Sequence, residues 1–248
     1  MNSTGRPLVL LVEDDASLRR FVALALDELP VELQCCADVD AALAALAQQP
    51  AALLITDLML PGRSGFELID CLAADPALRG AARLVVFSAG LNPAVRARLL
   101  AGGMVWRLLP KPCSVAEIEA CVREGALAGP PALAACPATP TPSLPTESGT
   151  ELAIGRHFGG NRALYQAFLA SCLRQFGDDI EQGELAWAAA DLAALRRLAH
   201  SLKSVLLSLG HPAASALAGR LELAAEQGQA GDAGTLWPQL RECLRELR

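Results

Sequence analysis

Residues 51–65 read Ala-Ala-Leu-Leu-Ile-Thr-Asp-Leu-Met-Leu-Pro-Gly-Arg-Ser-Gly. The apolar run Ala51–Thr56 is short, unbroken and ends on an acid, Asp57. After a loop, an Ala- and Leu-rich helical period runs over Gly65–Ala74. A short apolar run flanked by helical periods is the pattern of a parallel strand buried on both faces.

The pattern repeats on both sides. Leu8–Val12, Val31–Cys35, Leu84–Ser88 and Val105–Leu109 are further strand candidates. Between them, Ser17–Leu29, Val39–Gln48, Pro93–Ala101 and Val115–Ala126 are helix-periodic. Five such units predict an α/β fold, a doubly wound five-stranded parallel sheet with helices on both faces. In a sheet of this kind function gathers at the carboxyl ends of the strands. The first candidate strand ends at Glu13-Asp14-Asp15, the third at Asp57, the fourth at Ser88, and Lys111-Pro112 follows the fifth. A lone acid at a strand end is more often an exposed cap, and a lone lysine a solvated surface group. It is the joint placement on one rim that points to chemistry. Clustered carboxylates with oxygen donors suit Mg2+. With that charge shielded, Asp57 is placed to act as a nucleophile toward a phosphoryl group, with Lys111 and Ser88 binding its oxygens. Asp15 reads as the cap of the first helix.

Residues 127–150 are a linker. Pro130, Pro131, Pro137, Pro140, Pro142 and Pro145 block helix, and a fully extended stretch reaches about 75 Å at ~3.1 Å per residue. The chain thus divides into residues 1–126, this linker, and residues 151–248. The last part holds no strand candidate. Helical periods fill Arg162–Phe176, Asp178–Ala189, Leu192–Leu209, Ala213–Glu226 and Ala233–Leu247, with Asn161, Asp191 and Asp232 as caps and Gly177, Gly210 and Gly228 as stops. An all-α antiparallel helical bundle follows.

His200 lies in the third of these periods. The apolar stripe is Leu195, Leu198, Leu202, Val205, Leu206 and Leu209, and at about 100° per residue His200 falls on the opposite, outward face with Arg196, Arg197, Lys203, Ser204 and Leu207. A core histidine is excluded by that phase, leaving an ordinary surface histidine or a nucleophilic one. As a nucleophile its imidazole would carry a phosphoryl group, and Lys203, one turn on, would hold the oxygens. His157 and His211 are assigned no chemistry.

Of the 248 residues 52% are apolar, and the net charge is −6. That charge argues against nucleic-acid binding, which needs a basic face. No apolar run is long enough to insert in a membrane, and the first residues do not read as a signal peptide. None of the eight cysteines falls in a C-x-x-C pair; reduced thiols and a cytoplasmic location are expected.

Glu13-Asp14, the run Asp57-Leu58-Met59-Leu60-Pro61-Gly62-Arg63-Ser64-Gly65, Ser88-Ala89 and Pro110-Lys111-Pro112 together resemble the response-regulator receiver family, of flavodoxin-like fold, over about residues 7–127. The resemblance implies that Asp14 and Asp57 bind Mg2+ directly, Glu13 through water and Met59 through its backbone carbonyl. One position departs: receivers carry an aromatic residue three places before the lysine, and here that residue is Leu108. Residues 151–247 resemble the histidine phosphotransfer (Hpt) domain through His200, Leu202, Lys203, Leu209 and Gly210, with Ser204 in place of a glycine. Phe158-Gly159-Gly160-Asn161 and Leu221-Glu222 are similar to further parts of that family. The two resemblances imply a phosphorelay protein and not a conventional enzyme. Its partners would be a sensor histidine kinase, hybrid kinases included, and other receiver or Hpt domains. A phosphorylation-gated binding module and a phosphate sink for a kinase are the rival readings.

Overall fold

The computed structural model describes residues 5–89, 91–127 and 149–248; residues 128–148 of the proline-rich linker lie outside the described residues. The first half contains β1 (Leu8–Val12), α1 (Ala16–Leu26), β2 (Glu32–Cys36), α2 (Val39–Gln48), β3 (Leu53–Thr56), α3 (Gly65–Ala74), a short α4 (Pro76–Arg79), β4 (Arg83–Ser88), α5 (Pro93–Ala101), β5 (Val105–Pro110) and α6 (Val115–Val122), which runs on into a π-helical turn at Arg123–Leu127. Among the described residues the five strands are all parallel, in the order β2-β1-β3-β4-β5. This is the doubly wound sheet expected from the sequence.

The order reverses between β1 and β3, so the carboxyl ends of those strands frame the crevice where such sheets bind ligands. Both faces of the sheet are dry. Leu8, Leu10, Val12, Leu54, Leu84 and Val86 pack into one core, and Val9, Leu11, Leu53, Ile55, Val85 and Phe87 into the other. Alternation within continuous apolar runs is what strands covered on both sides require. The helix starts are set locally. Asp15 accepts from the Leu18 amide, and Ser64 with Glu67 and Ser114 with Glu117 form reciprocal caps.

The second half is helical: α7 (Gly149–Phe158), α8 (Arg162–Ala188), α9 (Leu192–Ser208), α10 (Pro212–Glu226) and α11 (Ala230–Leu247). Three details differ from the sequence reading. Gly177 does not stop a helix, and α8 runs straight through it. An interior glycine costs only about 1 kcal/mol, and packing of α8 against α9 and α11 outweighs that. Asp232 lies in the first turn of α11 and is not its cap. Finally, α7 begins inside the stretch assigned to the linker, and buries Ala153, Ile154, His157 and Phe158.

The two halves share a core. The Val9–Phe87 face of the sheet continues through α1 and α6 into the bundle without an apolar break. Phe21 of α1 packs against two bundle rings that also touch each other, its own ring 5.6 Å from that of Phe158 and 5.3 Å from that of Phe168. Helix α6 packs on α7 beside it.

Candidate functional site

The sheet delivers Glu13, Asp14, Asp57, Ser88 and Lys111 to one place. Glu13 and Asp14 follow β1, Asp57 follows β3, Ser88 closes β4, and Lys111 comes directly after β5. Lys111 donates to Glu13 Oε2 at 2.5 Å and to Asp57 Oδ2 at 2.6 Å. Its ammonium also sits over the Phe87 ring, and the Lys111–Pro112 peptide is cis. The other Asp57 oxygen, Oδ1, accepts from the Leu58 amide at 2.5 Å and the Met59 amide at 3.2 Å. Ser88 donates to the same carboxylate. Arg19 of α1 ties the loop from outside, donating to the carbonyls of Glu13 and Asp14 at 2.6 and 2.8 Å.

Gly65 makes the loop after β3 possible. A Cβ at this position would lie 2.0 Å from the Asp57 carbonyl oxygen, so only glycine lets α3 start against the loop.

Burial governs the charges. It lifts Glu13 to about 8 and Asp14 to about 6; Lys111 opposes the rise and the neighbouring acids add to it. Burial also disfavours ionised Asp57. Lys111, then the charge of His200, then the Ser88 hydrogen bond outweigh it and hold Asp57 below the usual carboxylate range. Lys111 itself is disfavoured by burial, yet Asp57 and Glu13 keep its pKa above that of an ordinary lysine. Oxygens of Glu13, Asp14 and Asp57 lie within 4.8 Å of one another. Three carboxylates so close, two of them starved of solvation, form a donor set that a hard divalent cation fits. Leu108 lies half-buried against the core on the other face of the sheet and offers no hydrogen bond to the site.

His200 is not on the surface. Its exposure is 1%, whereas the helical phase of α9 turns it away from the stripe of Leu195, Leu202, Val205, Leu206 and Leu209. That side is covered by Glu222 of α10, and Asp57 of the α/β half lies within electrostatic reach of it. Nδ1 meets Glu222 Oε1 of α10 at 2.6 Å, and Lys203 donates to the other Glu222 oxygen. Burial would raise the Glu222 carboxyl, but its bonds to His200 and Lys203 keep it lowered. Nε2 is buried with no hydrogen-bond partner, as is the Ser204 hydroxyl. A carboxylate on Nδ1 fixes the tautomer that leaves the Nε2 lone pair free. Asp57 and His200 lie close enough to be coupled electrostatically.

Sequence reasoning placed Glu13, Asp14, Asp57, Ser88 and Lys111 together, and the structure brings them together. It also placed Lys203 beside His200. It gave Glu222 no role, because the only signal was an acid following a leucine on a separate helix. His157 is buried against Cys113 and Glu117, and desolvation lowers its pKa.

A family model for the response regulator receiver domain matches residues 9–123, and one for the Hpt domain matches residues 167–248. No curated protein matches the chain. Similar solved structures include the chemotaxis response regulator CheY4 of Vibrio cholerae, 22% identical over 48% of this chain and 97% of that one, at a TM-score of 0.44. A signal receiver domain of an HD domain-containing protein from Pseudomonas fluorescens Pf-5 is 24% identical over 50% and 90%, at 0.45. A sensor protein from Polaromonas sp. JS666 is 27% identical over 48% and 95%, also at 0.45. No helix among the described residues is long and apolar enough to cross a membrane. With a parallel sheet of the matching order in its first half and a helical bundle in its second, the chain joins a response regulator receiver domain to an Hpt domain and is a two-component phosphorelay protein.

Proposed function

We propose that Asp57 is the phosphoryl acceptor of the receiver and His200 the phosphoryl carrier of the Hpt domain. The observation that carries this reading is the pairing of an ionised, donor-ringed carboxylate with an imidazole whose Nε2 is unpartnered. Lys111 and Ser88 both donate to the Asp57 carboxylate and would bind the oxygens of a phosphoryl group carried there. Glu222 orients the ring of His200 and sets its tautomer. Lys203, held by Glu222, supplies a cation one turn from His200.

Asp14 and Asp57, with Glu13 through water and the Met59 carbonyl, would hold Mg2+. Bound there, the ion supplies charge neutralisation for an anionic phosphoryl group among carboxylates. The receiver thereby promotes its own phosphorylation and dephosphorylation. A sensor histidine kinase is the donor class that fits Asp57, and another receiver or Hpt domain the exchange class that fits His200. The company of a receiver with an Hpt domain favours relay over a gated binding module or a phosphate sink.

Labelled phosphoryl transfer tests this. Asp57→Asn abolishes labelling by a small acyl-phosphate donor, chelation of Mg2+ does the same to wild type, and His200→Gln removes the alkali-stable label alone. Wild-type labelling in both variants would end the proposal.

A further inference from the structure

The two halves touch along a register that can be read residue by residue. On α8, Phe168, Cys172, Gln175 and Asp179 follow at intervals of four, three and four residues, one stripe of the helix. Phe168 meets Phe21. Cys172 neighbours Ser17. Asp179 is close enough to Asp15 to feel its charge. As the α8 number rises the α1 number falls, so α1 and α8 lie antiparallel, and the Asp179 end of α8 reaches the loop carrying Glu13 and Asp14. Helix α9 packs beside α8, and His200 stands on it.

We propose that the receiver and Hpt domains of a single chain dock through α1 and α8 as an internal transfer pair, with His200 Nε2 presented to the Asp57 pocket, so that phosphoryl passes between the two residues without leaving the molecule. This rests on the reading of Asp57 and His200 as phosphoryl carriers. Four observations converge on it. The apolar core is continuous across the contact. Phe21 of the receiver helix α1 is buried against two bundle aromatics. His200 is hidden although its helical phase points it out of the bundle. Its Nε2, the atom left without a partner, is the one that Glu222 leaves free to react.

The chemistry balances without a proton transfer. From phosphorylated Asp57, the Nε2 lone pair forms the N–P bond as the acyl O–P bond breaks, and the electron pair returns to the Asp57 carboxylate beside Lys111. The ring, still protonated at Nδ1, becomes positively charged and faces Glu222. The reverse step returns the same electrons. Docking makes the exchange a reaction between groups already held together, where effective concentrations far exceed those of free partners.

The test compares full-length wild type with an equimolar mixture of full-length Asp57→Asn and His200→Gln chains, each supplied with radiolabelled acetyl phosphate and Mg2+. Only exchange between molecules is open to the mixture. Alkali destroys acyl phosphate and spares phosphohistidine, so the two labels are counted separately. In wild type, label should reach His200 at a rate independent of protein concentration. At micromolar protein that rate should exceed the mixture's by about a thousandfold, the ratio of a millimolar effective concentration to the bulk one. A wild-type rate that rises in proportion to concentration and equals the mixture's overturns the internal pair while leaving both carriers intact. Label on Asp57 with none on His200, in wild type and mixture alike, overturns the carrier reading itself.

Discussion

Asp179→Asn should tighten the docking of the two domains, and most strongly at alkaline pH. Asp179 is buried on the α8 stripe that faces α1. Burial first, and then the charge of Asp15, raise its carboxyl from the ordinary 3.8 to about 7; Gln175 opposes this through a 3.1 Å hydrogen bond, and Asp178 adds to it. A raised carboxyl penalises the ionised form. Its contribution to the docked state is therefore intact below about pH 4 and is lost as pH rises toward 7. A shift of roughly three units at about 1.4 kcal/mol each sets a ceiling of ~4 kcal/mol at pH 8, against under about 2 kcal/mol at pH 5. Separation of the domains hydrates Asp179, so the loss is drawn from docking and not from the fold of either half. His200 reports the open fraction, because it is buried only while the domains are together. Carbethoxylation of His200, followed by peptide mass spectrometry, should be slower in the variant than in wild type. The variant-to-wild-type ratio at each pH cancels the reagent's own preference for neutral imidazole. That protection should grow by one to two orders of magnitude between pH 5 and pH 8. A ratio that does not change with pH would refute the reasoning.

Three further outcomes are expected. Glu222→Gln keeps the shape but loses the charge that holds Nδ1 and Lys203; transfer through His200 should slow by ten- to a hundredfold, the worth of one charge-assisted hydrogen bond at about 1.5–3 kcal/mol, read by single-turnover labelling with circular dichroism as the folding control. Gly65→Ala drives a Cβ into the Asp57 carbonyl; it should destabilise the chain by about 1–3 kcal/mol in urea unfolding and cut acyl-phosphate labelling of Asp57. Phe21→Ala removes the ring that packs against Phe158 and Phe168, a change costing about 3–5 kcal/mol in a closed core, and faster His200 carbethoxylation should show that much of the cost falls on docking.

The α/β half was legible almost throughout because its information is local. Buried strands announce themselves as short apolar runs, and β1 matches its sequence bounds residue for residue. The acids stand at the ends of those runs, so topology alone assembles the pocket. The helical half was less legible where length mattered. Gly177 looks like a stop because glycine is a poor helix former, yet packing of α8 against α1, α7, α9 and α11 outweighs one unfavourable residue. The short α7 escaped because its apolar face is only four residues, and its burial comes from α6 and α8, not from its own pattern.

His200 marks where such reading ends. A helical wheel reports which side of a helix leaves its own bundle. It says nothing of what arrives on that side. The helical phase of His200 turns it from the apolar stripe, and the residue is nevertheless buried, with Glu222 of α10 on its ring and Asp57 of the other half within electrostatic reach. The same limit hid Phe21 and Asp179, whose partners lie in the other half: Phe158 and Phe168 for Phe21, Asp15 for Asp179. Yet the signal was latent in composition. The outer side of an ordinary receiver helix has no reason to carry phenylalanine, and a long bundle helix has none to carry an acid in step with Phe168 and Cys172. Residues that break the pattern of their own element are best explained by a partner, and here the partner is the other half of the same chain. The pocket and the carrier are thus not two sites joined by a tether but one site divided between two folds. What controls the flow of phosphoryl groups is then how often that site opens, a property that resides in the α1–α8 contact more than in either nucleophile.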